Sequence, residues 1–209
     1  MIRKLTAVVA TLTALALPFA AHATEDGVLA KVGTLGAGVE YVHPFSSHSA
    51  LRFGVNGASQ DENSTESGIN YNFKLKLKSA SALFDFHPFA GTFFTSLGVF
   101  YNKNEIDASS SGNLTIGSQT ANTTLTGEIT FNSVAPYVGL GWGHAPSGKG
   151  LSFAFELGVL FQGAPKVTLQ SSNTAVTQSN LDQEAAELED SLKNNKYYPQ
   201  VAFALGYRF

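Results

Sequence analysis

Apolar and polar residues alternate along several segments of roughly ten residues. The clearest segment is 151–162, LSFAFELGVLFQ, where the odd-numbered positions are apolar and most even-numbered ones are small or polar. The same alternation recurs at 34–42, 51–58 and 95–102. Because successive side chains of a strand point to opposite sides, each segment predicts a β-strand with one apolar face.

Two longer segments change the parity of their apolar residues. These residues are odd-numbered at 73–77 but even-numbered at 80–86, and a similar switch follows residue 131. One inserted residue reverses the faces of a strand, so we expect one β-bulge near Ser79 and another near Ser133.

The N-terminal residues, MIRKLTAVVATLTALALPFAAHA, join Arg3 and Lys4 to an apolar stretch and an Ala21-His22-Ala23 cleavage site. This pattern predicts a secretory signal peptide at 1–23 and a mature chain at 24–209. The apolar stretch is shorter than the ~20 residues that a membrane-spanning helix needs.

Charge and cysteine content exclude several classes of function. Without Arg3 and Lys4, the 13 basic residues fall to 11 against 16 acidic ones, a net charge of −5. We therefore expect no nucleic-acid partner. The chain has no cysteine, which excludes disulfides and thiolate metal sites.

The C-terminal segment 197–209, YYPQVAFALGYRF, alternates up to a final aromatic residue. This ending resembles that of bacterial outer-membrane β-barrels, whose last strand carries an aromatic terminus that the barrel-assembly machinery reads. The resemblance implies an outer-membrane location, surrounding outer-membrane lipids and contact with that machinery during biogenesis. The residues that would form this assembly signal are Val201, Phe203, Leu205, Tyr207 and Phe209.

The connections between the strands differ in length. Those at 42–48, 86–92 and 143–150 are short, whereas those at 59–68, 103–127 and 163–196 are long and polar. Short periplasmic turns and long extracellular loops are typical of outer-membrane barrels. Seven segments predict strands strongly, and an even number requires an eighth from 24–31, unless that segment threads up inside the barrel.

We predict one all-β domain, a transmembrane antiparallel up-and-down β-barrel of about eight strands. It resembles the small outer-membrane barrels of the OmpA-transmembrane, OmpX and OmpW kind. A barrel of this size has room inside for side chains but not for an open aqueous channel. Small inward residues leave space for a few large charged ones, which are Glu40, Arg52, Asp85, Glu156 and Arg208.

Charges shielded from water are tolerated when they are paired, so we predict an ion-pair network that plugs the lumen. A gated polar pathway is the alternative. The expected bulge near Ser79 would also turn Lys74, Lys76 and Lys78 inward, toward the extracellular end. There they would line a mouth that attracts anions or would simply be solvated.

Three histidines occur in the same context, at the end of a descending strand and one or two residues before a proline. They are His43, His87 and His144. Proline stops the strand and favours a turn, and histidine suits a wet membrane boundary. We therefore interpret them as turn residues, and we expect no catalytic site, metal or cofactor.

One segment of the last long connection, 179–194, has helical spacing. Ser179 is a candidate cap, and Leu181, Ala185, Leu188 and Leu192 form one apolar stripe. Glu189 and Lys193 are spaced to form an ion pair. The helix is either a lid over the barrel rim or a docking surface for an extracellular partner.

The function that fits these features is structural or surface-interacting, with a largely plugged lumen. A narrow channel for small or hydrophobic solutes is the alternative. No residue pattern indicates an enzyme.

Deletion of Phe209 tests the predicted assembly signal. Because the terminal aromatic is the feature shared with outer-membrane barrels, we expect less folded, heat-modifiable protein in the outer-membrane fraction. Gel mobility with and without heating measures this yield. A deletion that assembles normally would contradict the prediction.

Overall fold

The computed structural model describes residues 25–66, 69–116, 119–143 and 148–209. The predicted signal peptide at 1–23 and the turn residue His144 lie outside the described residues. Within them the chain forms eleven strands and one helix. These are β1 (Gly27–Gly33), β2 (Gly36–Ser46), β3 (Ser49–Glu66), β4 (Ile69–Phe86), β5 (Phe93–Asn102), β6 (Glu105–Ile116), β7 (Gln119–Thr130), β8 (Val134–Trp142), β9 (Gly150–Phe161), β10 (Lys166–Ser171), α1 (Gln178–Leu192) and β11 (Tyr197–Arg208).

Eight of the strands close a ring. Its order is β1, β2, β3, β4, β5, β8, β9 and β11, and β11 pairs with β1 to complete it. Every neighbouring pair in the ring is antiparallel. The prediction of an antiparallel barrel of about eight strands is confirmed. The eighth strand is β1, which pairs over its whole length with both β2 and β11.

The two faces of the ring differ as the alternation requires. Inward residues are buried, and large apolar residues are exposed on the outside. Such a continuous apolar band is expected where a barrel wall faces lipid. Members of the band from six strands are Val28, Phe53, Phe84, Leu97, Phe153 and Phe203. Among the described residues, no helix has the length and hydropathy needed to cross a membrane.

At one end of the ring, which we call the turn end, the strands are joined by short connections. At the other end the same sheet continues beyond the ring into a part that we call the extension. It consists of β6, β7 and β10 together with the outer parts of β3 and β4. Much of the long connections at 103–127 and 163–196 is therefore strand or helix rather than irregular loop.

Neither of the two expected bulges occurs. β3 and β4 keep one register from the Ser49–Phe86 pair to their opposite ends. In the second segment, Thr130 pairs with Glu105, and Val134 pairs with Tyr101. Between these two pairs each side of the ladder advances by four residues. No residue is inserted, so the prediction of bulges near Ser79 and Ser133 is wrong.

The parity of the apolar residues changes because the cover on one face changes. Inside the ring that face lines the lumen, where Ser79 and Asp85 are buried among polar side chains. In the extension the same face packs against α1 and its neighbours, so Ile69 and Ile129 join an apolar cluster around Leu181. One unbroken strand face thus meets a polar environment at one end and an apolar one at the other.

The three lysines of β4 consequently lie on the outward face, not inside, and that part of the prediction is also wrong. Lys74 lies 3.6 Å from Asp61, and the Lys76 ammonium donates to Glu105 at 2.7 Å. Hydrogen bonding to Asp107 and Glu105 raises the pKa of Lys76, and hydrogen bonding to Lys76 lowers the pKa of Asp107. These matched charges do not form a mouth that attracts anions.

The cap of helix α1 lies two residues before the expected one, Ser179. Thr177 is the cap, and its hydroxyl accepts a hydrogen bond from the Asn180 amide at 3.4 Å. The Glu189 carboxylate accepts from the Val167 amide at 2.9 Å, so it does not form the expected pair with Lys193. Lys193 instead pairs with Asp190. The helix is fastened to β10 and packs on the extension.

Glycines in the wall make room for large inward side chains. The Tyr137 ring lies over Gly139 and Gly158, and its hydroxyl donates to Glu156 at 2.8 Å. A methyl group on either glycine would overlap the ring. The predicted role of small inward residues is thus visible in the packing of this tyrosine.

Substitution Gly158→Ala tests this packing. The added methyl must displace Tyr137 and weaken its hydrogen bond to Glu156, so we expect a loss of about 1–3 kcal/mol in the free energy of unfolding. Denaturant unfolding in detergent micelles measures the change. Gly57→Ala is the control, because its nearest neighbour would be the Leu77 carbonyl at 3.4 Å on the outer face. Equal stability of the two variants would contradict the packing argument.

Candidate functional site

The lumen of the ring is filled by three layers of side chains. The lower layer, nearest the turn end, is small and apolar: Leu29, Val42, Ala50, Ala154 and Ala204. The charged layer consists of Lys31, Glu40, Arg52, Asp85 and Glu156, all buried. The upper layer is apolar: Leu35, Leu83, Phe100, Ala135, Tyr137 and Leu160. Several strands contribute to successive layers because alternate residues face inward.

Arg52 is the centre of the charged layer. Its Nε donates to Asp85 at 2.9 Å and its Nη2 donates to the other oxygen of Asp85 at 3.1 Å, a two-point contact. Its two Nη atoms also donate to Glu156, at 2.9 and 2.7 Å, and Nη1 donates to Glu40 at 3.1 Å. One guanidinium therefore joins four strands, β2, β3, β4 and β9, across the lumen.

Lys31 completes the charged layer, although the sequence analysis did not include it. Its Nζ donates to Glu40 and to Glu156, both at 2.8 Å, and its side chain is 3% exposed. The alternation of β1 indicates that Lys31 faces inward, because the even-numbered Val28 and Val32 face outward and Lys31 is odd-numbered. Treating 24–31 only as a possible eighth strand hid this position.

Arg208 does not belong to the charged layer, contrary to the prediction. It faces inward but lies near the turn end, where its Nη2 donates to the Glu25 carbonyl at 3.2 Å. The inward residues of β11 that lie nearer to the charged layer are Ala202 and Ala204, whose side chains have no polar group. Of the five residues predicted for the network, the structure brings together Glu40, Arg52, Asp85 and Glu156.

The charged layer holds one more carboxylate than it holds cations. Three carboxylates face two basic side chains in a region shielded from water. Glu156 accepts four hydrogen bonds, two from Arg52 and one each from Lys31 and Tyr137. Glu40 accepts only two, one from Lys31 and one from Arg52. Glu40 is therefore held by fewer hydrogen bonds than Glu156.

The upper layer is closed by the turn between β1 and β2, which bends into the ring. Leu35 at its tip is 3% exposed and packs within the upper layer. Four hydrogen bonds join Thr34 to the start of β11. The Thr34 amide donates to the Val201 carbonyl at 3.0 Å, and the Tyr198 hydroxyl donates to the Thr34 carbonyl at 2.5 Å. The Thr34 hydroxyl donates to the Pro199 carbonyl and accepts from the Val201 amide.

The turn end is closed by packed side chains as well. His87 is fully buried there, with its Nδ1 2.9 Å from the Gly91 carbonyl and its ring 5.4 Å from that of Phe94. The expected wet position is therefore wrong for this histidine. His43 differs, because it is partly exposed and contacts Asp26 at 2.7 Å. In the described part of the chain, no three side chains of the metal-binding types are placed to hold a metal ion.

The predicted assembly residues lie on the outer face of β11. Phe203, Leu205, Tyr207 and Phe209 are exposed there, and Val201 is half-buried. The backbone amide of Phe209 donates to the Asp26 carbonyl at 2.9 Å, which ties the last residue to the start of the described chain. Their role in assembly stays a prediction.

A closed antiparallel ring of eight strands, apolar outside and packed with paired charges inside, defines a transmembrane β-barrel. The chain is similar to Acinetobacter baumannii CarO2, with 23% identity and a TM-score of 0.61 over 89% of this chain and 99% of that one. It is also similar to Acinetobacter baumannii CarO, with 21% identity and a TM-score of 0.59 over 88% and 97%. At these identities the likeness shows a common fold. No family model and no curated protein matches the chain.

Substitution Arg52→Ala tests the charged layer. It leaves three carboxylates with only Lys31 to compensate them, so we expect a loss of about 3–5 kcal/mol in the free energy of unfolding. Lys149→Ala, an exposed lysine at the turn end, is the control and should change stability little. Denaturant unfolding in the same detergent compares the two variants.

The unequal hydrogen bonding of two carboxylates predicts a difference between two neutral variants. Glu40→Gln changes an acceptor of two hydrogen bonds, whereas Glu156→Gln changes an acceptor of four. We expect Glu40→Gln to destabilise the barrel less than Glu156→Gln. The reverse order would contradict the larger share of Glu156 in the hydrogen bonds of the charged layer.

Proposed function

We propose that the protein is a small outer-membrane barrel of the OmpA-transmembrane, OmpX and OmpW kind, with a structural or surface-interaction role. In this proposal the turn end lies in the periplasm and the extension lies outside the cell. The observation that carries the proposal is the lumen, which is occupied at three successive levels. A barrel closed in this way presents a surface but does not conduct.

The free energy needed to open the lumen supports a closed resting state. A passage through the charged layer requires Arg52 to leave at least one of its carboxylates. Leaving a buried charge without its partner costs about 3–5 kcal/mol, which corresponds to an open fraction of roughly one in 10² to 10⁴ molecules. Displacement of Leu35 from the upper layer adds a further cost from lost apolar burial.

The extension supports a role in surface interaction. It stands beyond the apolar band, its inner face is held by α1, and its outer face is polar. A cleft of about 520 Å³ on this sheet is lined by groups that include Asp61, Asn72, Lys74, Asp107 and Gln170. A rigid polar sheet of this kind can contact a neighbouring macromolecule without refolding.

The position of the histidines supports a role other than catalysis. Within the described ranges all three histidines, His43, His48 and His87, belong to the turn end. The extension and the adjoining rim, where an outer-leaflet or extracellular substrate would be met, contain none in those ranges. A hydroxyl nucleophile without a neighbouring base is weak at neutral pH.

A narrow channel is the second candidate, and one observation favours it. Beside the apolar upper layer lie buried polar groups with no hydrogen-bond partner among the described residues: Asn56 Nδ2, Ser79 Oγ, Ser81 Oγ and both amide atoms of Gln200. Buried polar groups of this kind are usually satisfied by internal water. A file of water along β3 and β4 would leave the charged layer and the lower layer to cross.

Conductance of the refolded protein in planar bilayers separates the two candidates. We expect no steady conductance from the unmodified protein. An Arg52→Ala, Leu35→Ala double variant should conduct measurably, because the charged layer and the upper layer are then both weakened. Leu151→Ala is the control, since it makes the same type of truncation at an 85% exposed position on the outer face. Steady conductance of the unmodified protein would put the channel first.

A further inference from the structure

Two of the three outward lysines of β4 lie opposite carboxylates on neighbouring strands, and the third lies opposite another lysine. Lys74 contacts Asp61, and Lys76 contacts Glu105 across the strand pair. The register places Lys78 opposite Lys103, the residue after β5, and the Lys103 amide donates to the Lys78 carbonyl at 2.8 Å. Like charges directly opposite each other on neighbouring strands are destabilising. The third position therefore breaks the pattern of matched charges.

No carboxylate compensates this lysine pair within the described residues. Both side chains are exposed, and neither forms an ion pair with another described residue. Lys103 Nζ lies 5.5 Å from the centre of the outward Tyr101 ring, which places its ammonium on the outer wall. A pair of unmatched ammonium groups is thus presented outward from the barrel.

The pair lies where the apolar band ends. Ala80 and Tyr101 are the preceding outward residues on the two strands, and the next outward residues beyond the lysines belong to the polar extension. In a bilayer, the phosphate groups of the lipids lie at this boundary, directly beyond their acyl chains. The lysine pair is therefore at the level of the lipid headgroups.

A cleft beside the pair supplies further donors. It has a volume of about 390 Å³ and is lined by groups that include Lys103, Lys166, Asn132 and Ser133. Glu105 and Glu128 also line it, and Lys76 engages Glu105. The cleft thus places Lys166 and the Asn132 amide beside Lys103, one member of the lysine pair, together with the Glu128 carboxylate.

We propose that Lys78, Lys103 and Lys166 bind the phosphate group of an outer-leaflet lipid whose acyl chains lie against the barrel wall. The inference rests on the proposed membrane location and goes beyond the proposed function. A phosphate monoester carries a charge of about −1.5 to −2, which matches the unmatched ammonium pair and removes its repulsion. The apolar wall next to the pair selects a lipid over a soluble phosphate, because acyl chains add buried apolar area.

Thermal unfolding of the folded barrel in neutral detergent micelles tests this site. We expect bis-phosphorylated lipid A to raise the unfolding midpoint, because a ligand that binds only the folded state stabilises it. Dephosphorylated lipid A and inorganic phosphate, each at the same concentration, should raise it much less. An equal rise with inorganic phosphate would show a site for free anions and overturn the proposal, as would an equal rise with the dephosphorylated lipid.

The variant Lys103→Gln should keep or gain stability in plain detergent but lose part of the stabilisation by lipid. In plain detergent its unfolding midpoint should equal or exceed that of the unmodified protein, because the like-charge repulsion is relieved. With bis-phosphorylated lipid A its gain should fall to roughly half or less, since one of the two paired ammonium groups is absent. Lys78→Gln should behave in the same way.

Lys193→Gln is the matched control, because Lys193 is an exposed lysine on α1, away from the boundary, and already pairs with Asp190. Full lipid stabilisation of Lys103→Gln and Lys78→Gln would overturn the proposal. These readouts are independent of conductance and of assembly in cells. A negative result in these unfolding measurements can therefore be distinguished from a failure of the proposed function.

Discussion

The guanidinium of Arg52 is the group on which the closed barrel depends. A buried charge is stable only where its partners are held in place, and the three carboxylates that hold Arg52 come from three other strands. The ring must therefore keep one diameter and one register for the charges to stay compensated. Wall glycines, the Tyr137 hydroxyl and the Ser96 hydroxyl all serve this arrangement, because they provide space or hydrogen bonds around the carboxylates.

The barrel and the extension are one set of strands in two environments. β3 and β4 continue out of the ring without a change of register, and the face that lines the lumen becomes the face that α1 covers. This continuity makes the extension rigid, since its strands cannot move independently of the wall. A surface built on such strands keeps its shape outside the membrane, which suits contact with a partner more than closure over a pore.

Unbalanced charge occurs on both sides of the wall, with different consequences. Inside, the charged layer holds one carboxylate more than it holds cations, and all its members are shielded from water. Outside, the Lys78 and Lys103 pair is exposed at the edge of the apolar band, where a mobile anion can reach it. The inner imbalance therefore affects stability, whereas the outer one creates a place for a ligand.

The alternation determined the strands, their inward and outward faces, and the inward position of Glu40, Arg52, Asp85 and Glu156, because a strand has a strict period of two. The closed barrel was predicted from the alternation together with the loop lengths and the C-terminal segment. The alternation could not determine which inward charges meet. Lys31 joins the layer and Arg208 does not, since the height of each side chain depends on the stagger between neighbouring strands. The apparent bulges near Ser79 and Ser133 arose for a similar reason. Only the tertiary structure decides what covers a strand face, and α1 covers with apolar residues the same face that the lumen surrounds with polar ones.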